Sequence, residues 1–137
     1  MRNKLLVFVL AGILFLLWVP ACAKSSKSAR LKLQRYQYEL GTLYQTDSVY
    51  CLTIPFENIG DGDLIFEDIE PDCPCIHIVY DNKIYPPKAK GKIKLKFDLS
   101  IPPQEMDKGI YIYSNASPFN VSIEVRFHGF LKVSRHK

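Results

Sequence analysis

Strict alternation of apolar and polar residues most constrains how this chain can fold. From Lys92 to Leu99 every second residue is apolar, and lysines fill the positions between them up to Asp98. Because successive side chains of a strand point to opposite faces, this pattern predicts a strand with one buried and one solvated face. The same period recurs over residues 50–56 and 119–128, and shorter strands are predicted near residues 64–69, 76–80 and 110–114. The predicted core consists of Leu52, Ile54, Phe56, Leu64, Phe66, Leu95, Phe97, Ile112, Ile123 and Val125.

Turn-forming sequences separate these strands. The run NIGDGD at Asn58–Asp63 combines glycines and aspartates, as a tight reversal requires. The proline pairs at residues 86–87 and 102–103 cannot donate to a strand ladder, so they mark connections. Pro55 lies inside a strand pattern and predicts an edge or a bulge there. About seven short strands punctuated in this way predict an all-β, immunoglobulin-like β-sandwich, preceded by an N-terminal signal segment.

The N-terminus has the layout of an export signal. Arg2 and Lys4 precede an uncharged apolar run, residues 5–18, which is short for a membrane span of about 20 residues. The run VPAC at residues 19–22 resembles the lipobox of bacterial lipoproteins, which favours cleavage before Cys22 and lipidation of that cysteine. Cleavage after Ala23 is the alternative, and an uncleaved membrane anchor ranks third. We therefore predict a lipoprotein-type signal segment over residues 1–22.

A basic, serine-rich segment, residues 23–35, is predicted to be a flexible tether. It carries five basic residues and no acid, whereas the chain from Tyr36 onward has 11 basic and 14 acidic residues, a net charge of −3. The overall excess of basic residues therefore does not indicate nucleic-acid binding. Contact of the tether with anionic lipid headgroups and plain solubility both stay open. The predicted domain covers residues 36–133, and residues 134–137 form a tail.

Five pieces of sequence, in order over residues 38–133, resemble a known family. They are GTL at residues 41–43, FENIGDGDL at 56–64, a cysteine pair, a proline turn leading into KIKLKFD, and IYSNA with the closing HGF. The family they resemble is domain of unknown function 1573, which is common in Bacteroidetes-type bacteria and often found on lipoproteins. The resemblance implies an immunoglobulin-like fold, akin to abnormal-spindle and Hydin domains, without an established activity. The family's usual Cys-Gly-Cys-Thr is here Cys73-Pro74-Cys75-Ile76, and proline restricts a backbone that glycine would leave free.

The run DCPCIH, Asp72–His77, holds the candidate site. In an extended backbone Cys73, Cys75 and His77 share one face, while the residues between them share the apolar face. This pattern predicts sulfur atoms at the rim of the domain, pointing away from the core. Cys51 falls on the less apolar face of its own strand, so it could converge on the same place.

Four interpretations of these cysteines stay open. A disulfide suits an oxidising compartment and would join Cys73 to Cys75, or one of them to Cys51. A soft-metal site would use the three thiolates with the imidazole of His77, which suit Cu(I) or zinc. A redox-active pair would need His77 as its base, and free cysteines acting as small apolar groups are the fourth interpretation. The compartment favours a disulfide or free cysteines over a metal or redox site.

The motifs of phosphate binding and nucleophilic catalysis are missing from the sequence. The glycines of residues 58–63 lie between strands and lack the helix that a phosphate loop uses, and no Gly-x-Ser-x-Gly run occurs. We therefore predict no catalytic residues, no cofactor and no metal. The predicted function is a membrane-tethered exported lipoprotein carrying a non-catalytic binding or assembly module. The alternative is a thiol-redox or soft-metal-binding protein that uses Cys73 and Cys75.

The predicted partners follow from the predicted compartment. They are a membrane, through the lipid anchor, and an unidentified protein or other component of the cell envelope, but no nucleic acid. The residues after Cys22 are Ala23, Lys24 and Ser25, which include no acid. Surface-exported lipoproteins of such bacteria usually carry acids at that place, so the periplasmic face is predicted.

Overall fold

The computed structural model describes residues 26–116 and 122–133, which form eight β-strands and one 3-10 helix, Gln45–Asp47. These residues make up an all-β domain, as predicted. The strands are β1 (Leu31–Leu33), β2 (Gln37–Tyr44), β3 (Val49–Asn58), β4 (Phe66–Pro71), β5 (Ile76–Val79), β6 (Lys90–Asp98), β7 (Gln104–Ser114) and β8 (Ile123–Lys132).

Two four-stranded sheets face each other across the core. The first sheet has the order β1–β3–β6–β5 and is antiparallel throughout. The second has the order β2–β8–β7–β4, in which β2 and β8 are parallel and the other pairs are antiparallel. The chain therefore enters the first sheet as β1 and crosses to the second sheet as β2. This arrangement confirms the predicted immunoglobulin-like sandwich.

The alternating residues fill the space between the sheets. The apolar residues of β6 are fully buried, whereas the lysines between them are exposed. Phe97 contacts Phe127 of the opposite sheet, with ring centroids 5.2 Å apart and ring planes at 78°. Such edge-to-face pairs are a favoured arrangement of aromatic rings. The predicted core residues are buried, except for Leu52 and Ile123, which are partly exposed.

The boundary predicted between tether and domain is wrong. Leu31 and Leu33 belong to the segment predicted to be a flexible tether, yet both are buried and β1 pairs with β3. Two apolar residues separated by one lysine are enough to bury one face of a short strand, but they are too few to show a period in the sequence. The tether prediction therefore fails over residues 28–33. The predicted signal segment 1–22, with Cys22, and the tail 134–137 lie outside the described residues.

Strand β2 is missing from the predicted set because a bulge breaks its alternation. Between Glu39 and Gly41 the pairing with β8 slips by one residue, and Gly41 has a positive φ of 66°. Glycine adopts that conformation readily, and other residues rarely do.

Pro55 lies at an edge of the first sheet, as predicted. The pairing between β1 and β3 ends at Phe56, the residue after Pro55. From Pro55 toward Val49, therefore, β3 forms an edge of the first sheet within the described part of the chain.

A buried asparagine joins four segments at one end of the sandwich. The side chain of Asn58 is fully buried, and its amide donates to the carbonyls of Gly62 (2.8 Å) and Tyr85 (2.9 Å). Its side-chain oxygen accepts from the backbone N–H groups of Arg30 (3.2 Å) and Gly60 (3.0 Å). Both donors and the acceptor are thereby satisfied, which is what burial of a polar group requires.

The same junction fixes the N-terminal segment to the sandwich. The backbone N–H groups of Asp61 and Gly62 donate to the Ser28 carbonyl at 3.1 and 3.0 Å. A Cβ atom on Gly60 would lie 2.3 Å from that carbonyl oxygen, so the approach requires glycine. The segment therefore meets the sandwich at the end formed by the turn at residues 58–62.

Candidate functional site

The DCPCIH run forms the connection between β4 of the second sheet and β5 of the first. The residues 72–75 turn from one sheet to the other before β5 begins at Ile76. Within the turn, the Ile76 N–H donates to the Cys73 carbonyl at 3.1 Å. The Asp98 N–H donates to the Cys75 carbonyl at 2.8 Å and attaches the turn to the end of β6.

Cys73 and Cys75 are joined to each other by a disulfide, with their Cα atoms 5.1 Å apart. This distance lies within the range of about 4.4–6.8 Å that disulfides span. Cys51 is exposed and free, with no sulfur partner among the described residues. Of the disulfides left open by the sequence, the structure therefore contains the short Cys73–Cys75 ring and not a bridge to Cys51.

The prediction that both sulfur atoms point away from the core is wrong. Cys75 is buried, with 6% of its surface exposed, and Cys73 is partly buried against the core. The alternation fails because residues 72–75 form a turn rather than a strand, so the neighbours Cys75 and Ile76 are both buried. His77 lies on the exposed face, as predicted. The disulfide is thus part of the apolar core where the two sheets connect.

Cys51 and His77 lie in one row across the first sheet but do not meet. Cys51 of β3 and His77 of β5 both pair with Lys96 of β6, which lies between them. Neighbouring strands are about 4.8 Å apart, so the two outer residues are about 10 Å apart. Among the described residues, no three His, Cys, Asp or Glu side chains are grouped so that they could hold a metal ion. The proposed convergence of three thiols and an imidazole therefore does not occur.

A redox role for the cysteine pair gains no support from this geometry either. A reactive thiol needs a nearby base or cation that stabilises the thiolate. The imidazole of His77 is exposed on the outer face of β5, whereas Cys75 is buried on the inner side. The sulfur of Cys73 instead accepts the Cys75 N–H at 3.2 Å. The pair is arranged to close and fix a turn.

A cluster of charged residues on the outer face of the second sheet adjoins this turn. The guanidinium of Arg126 contacts three carboxylates, those of Asp72 at 3.4 Å, Glu124 at 3.2 Å and Asp107 at 2.5 Å. The hydrogen bond to Asp107 raises the pKa of Arg126 above its ordinary value. His128 Nδ1 lies 3.3 Å from the same Asp107 oxygen. Exposed ion pairs contribute little stability each, so the effect of the cluster on the turn is to orient Asp72, its first residue.

The turn at residues 72–75 also adjoins the tight loop that follows β6. The backbone N–H of Ser100 donates to the Asp98 carboxylate at 2.8 Å. This bond holds the pKa of Asp98 below its ordinary value, and the nearby imidazole of His77 contributes in the same direction. The lowered pKa therefore has a local structural cause, which is the hydrogen bond that closes the loop.

Sequence reasoning misses two features of the structure. The first is the junction around Asn58, whose partners lie in three other segments and leave no local pattern. The second is a row of exposed lysines on β6, which the alternation identifies only as the solvated side of a strand. The signal for the second was present, because the four outward positions before Asp98 all hold lysine: Lys90, Lys92, Lys94 and Lys96.

Solved structures share this immunoglobulin-like sandwich architecture. A protein of unknown function from Porphyromonas gingivalis W83 matches with a TM-score of 0.67 and 17% identity, over 80% of this chain and 50% of that chain. PapD-like domain 7 of human CEP192, an ASH domain, matches with a TM-score of 0.55 and 9% identity, over 79% and 89% of the two chains. The E. coli chaperone DraB matches with a TM-score of 0.50 and 12% identity, over 77% and 56%. At these identities the likeness concerns the fold alone, and the chain spans half the length of the P. gingivalis protein.

The chain belongs to the family described as Protein of unknown function (DUF1573), whose model matches residues 31–130. The match confirms the resemblance seen in the sequence. It begins at Leu31, the first residue of β1, in agreement with the corrected start of the domain. No curated protein matches the chain in sequence. Within residues 26–116 and 122–133, no helix is long and apolar enough to cross a membrane.

Proposed function

We propose that this protein is an exported lipoprotein, anchored to a membrane by lipid on Cys22 and facing the periplasm, whose sandwich is a non-catalytic binding or assembly module. The observation that carries the proposal is the VPAC run at residues 19–22, which follows an apolar segment and resembles a lipobox. The covalent path from Cys22 to the folded domain is short, so the lipid would hold one particular end of the sandwich. Ser28 is fixed to the turn at residues 58–62, and it follows Cys22 by six residues. An extended chain spans at most about 3.6 Å per residue, so the lipid would hold this end of the sandwich within about 20 Å of the bilayer.

The opposite end of the sandwich is the end farther from the anchor. That end contains the 3-10 helix Gln45–Asp47, the loop after Asp98 and the turn closed by the Cys73–Cys75 disulfide. The Gln45 side chain donates to the Ile101 carbonyl at 2.6 Å and ties two of these segments together. A rigid scaffold that presents connected loops at one end suits recognition of a partner.

The edge of β3 offers a second place for a partner. β1 pairs only with residues 56–58, so residues 49–55 have no neighbouring strand on that side within the described chain. Exposed strand edges bind extended peptides through main-chain hydrogen bonds. The E. coli chaperone DraB shares this fold, which supports a role in binding rather than catalysis.

Replacement of the anchoring cysteine tests the proposal. We expect the wild-type protein to sediment with membranes, and Cys22→Ser to appear as an unprocessed or soluble form because the thiol that takes the lipid is gone. Cell fractionation combined with mass spectrometry measures both properties. Cys51→Ser removes the exposed free thiol and should leave the distribution unchanged. An unaltered membrane fraction and mass for Cys22→Ser would contradict the lipid anchor.

A further inference from the structure

The first sheet carries a continuous basic row on its outer face. We call Lys90, Lys92, Lys94 and Lys96 of β6 the lysine ridge. All four are exposed, and no ion pair in the described part of the chain includes any of them. Alternate residues of a strand lie about 6.6 Å apart, so the ridge extends for about 20 Å. Four like charges in one row repel one another, which favours an external partner of opposite charge.

Protection of a sheet edge does not explain the ridge. Lysines often prevent unwanted pairing at edge strands. However, β6 is an inner strand that pairs with β3 on one side and β5 on the other. Lys90 has a carboxylate opposite it, that of Glu57. The other three lysines have none in register, since Pro55 flanks Lys92, Thr53 and Val79 flank Lys94, and Cys51 and His77 flank Lys96. The ridge therefore keeps an excess of positive charge from Lys92 to Lys96.

The outer face of the second sheet has the opposite charge. The protein consequently has one basic and one acidic broad side. Near an anionic surface, such a charge distribution turns the basic side toward the surface. The exposed acids of the second sheet are Glu39, Glu67, Asp68, Glu70, Glu105, Asp107 and Glu124, and Arg126 and Lys132 are the bases beside them.

We propose that the lysine ridge lies against anionic lipid headgroups, so that the first sheet rests on the membrane that anchors the protein. The inference rests on the proposed lipid anchor for its choice of a membrane as the partner. Lys90 pairs with Glu57, next to the Asn58 junction, so the ridge begins at the tethered end of the sandwich. Lys24 and Lys27 continue the positive charge along the chain toward Cys22. Each lysine near an anionic bilayer strengthens the contact about fivefold.

The free thiol of Cys51 is a native reporter of this contact. Cys51 is exposed and pairs with Lys96 in register, so it lies on the same face as the ridge. The full-length protein, purified from membranes, is placed in vesicles of phosphatidylcholine alone or mixed with phosphatidylglycerol. Alkylation of the Cys51 peptide is followed by mass spectrometry without reductant. We expect alkylation to be about tenfold slower or more in the anionic vesicles, and to recover in high salt.

Matched variants distinguish an effect of the lysine ridge from an effect of the total charge of the protein. Lys92→Gln combined with Lys94→Gln should remove most of the dependence of Cys51 alkylation on lipid charge. Lys83→Gln combined with Lys132→Gln removes the same charge elsewhere and should retain that dependence. A thiol introduced on the second sheet by Thr42→Cys should react at the same rate in both kinds of vesicle.

The possible results distinguish the inference from the anchor on which it rests. Equal Cys51 alkylation in both kinds of vesicle, with the protein bound to both, would overturn the inference and leave the anchor intact. Failure of the protein to stay with either kind of vesicle would contradict the anchor itself. Cys51 could also be protected from alkylation in phosphatidylcholine vesicles, to an extent that rises with protein concentration. That result would identify the acidic face of a second copy of the protein as the partner and would overturn the inference.

Discussion

Asn58→Ala is expected to lower the free energy of unfolding by about 3–4 kcal/mol, as measured by denaturant titration. The Asn58 side chain makes four hydrogen bonds in a fully buried position. Alanine would leave the Gly62 carbonyl and the N–H groups of Arg30 and Gly60 without those partners, and each unsatisfied buried group costs about 1–3 kcal/mol. The Tyr85 carbonyl would still accept from the Leu64 N–H at 2.8 Å. The expected total is lower than three full penalties, because loosening of the N-terminal segment would admit water to some of these groups.

Asn115 provides the matched control for this substitution. Its side chain also bonds to two backbone groups, accepting from the Ile65 N–H at 2.9 Å and donating to the Asp63 carbonyl at 2.8 Å, but these bonds are exposed. Water can replace them, so Asn115→Ala should cost about 1 kcal/mol or less. If Asn58→Ala and Asn115→Ala destabilised the protein equally, burial of the Asn58 junction would not contribute to the stability of the sandwich.

Phe97→Ala is expected to cost about 3–5 kcal/mol, the usual loss for a large core aromatic. The Phe97 side chain is fully buried and contacts Phe127 across the sandwich and Tyr50 in its own sheet, with centroids 5.2 and 6.1 Å away. Because small domains are stable by only about 5–15 kcal/mol, this single truncation should remove a large share of the total.

An exposed phenylalanine provides the control for Phe97→Ala. Phe130 of β8 is 53% exposed on the outer face of the second sheet. Phe130→Ala should therefore change the free energy of unfolding by about 1 kcal/mol at most, because it removes little buried surface. A loss below about 1 kcal/mol for Phe97→Ala would mean that the inward and outward sides of β6 are reversed.

Long alternating runs allow the inner and outer faces of strands to be predicted from sequence. In β6 the period continues over the whole strand, and each predicted inward residue is buried. The method fails where the run is short or interrupted. β1 has only two buried leucines, and Gly41 interrupts the period of β2 with a bulge. The sequence pattern therefore predicts a tether over β1 and no strand over β2.

The candidate site shows a second limit of sequence patterns. The alternation places Cys75 outside, but Pro74 lies in a turn, where the strand period does not apply. Whether Cys51 meets His77 depends on the order of strands in the sheet, which no local pattern contains. The structure places β6 between them, and Lys96 separates the two residues. The partners of Asn58 are likewise as much as 28 residues away along the chain.

Mass spectrometry of the intact protein, extracted from cell membranes and alkylated without reductant, tests the lipid anchor most directly. We expect a chain that begins at Cys22, carries a lipid there and has one alkylated cysteine, Cys51, with Cys73 and Cys75 still joined. A chain without lipid that begins at Lys24, or one that still contains residues 1–21, would contradict a sandwich held to the membrane through Cys22.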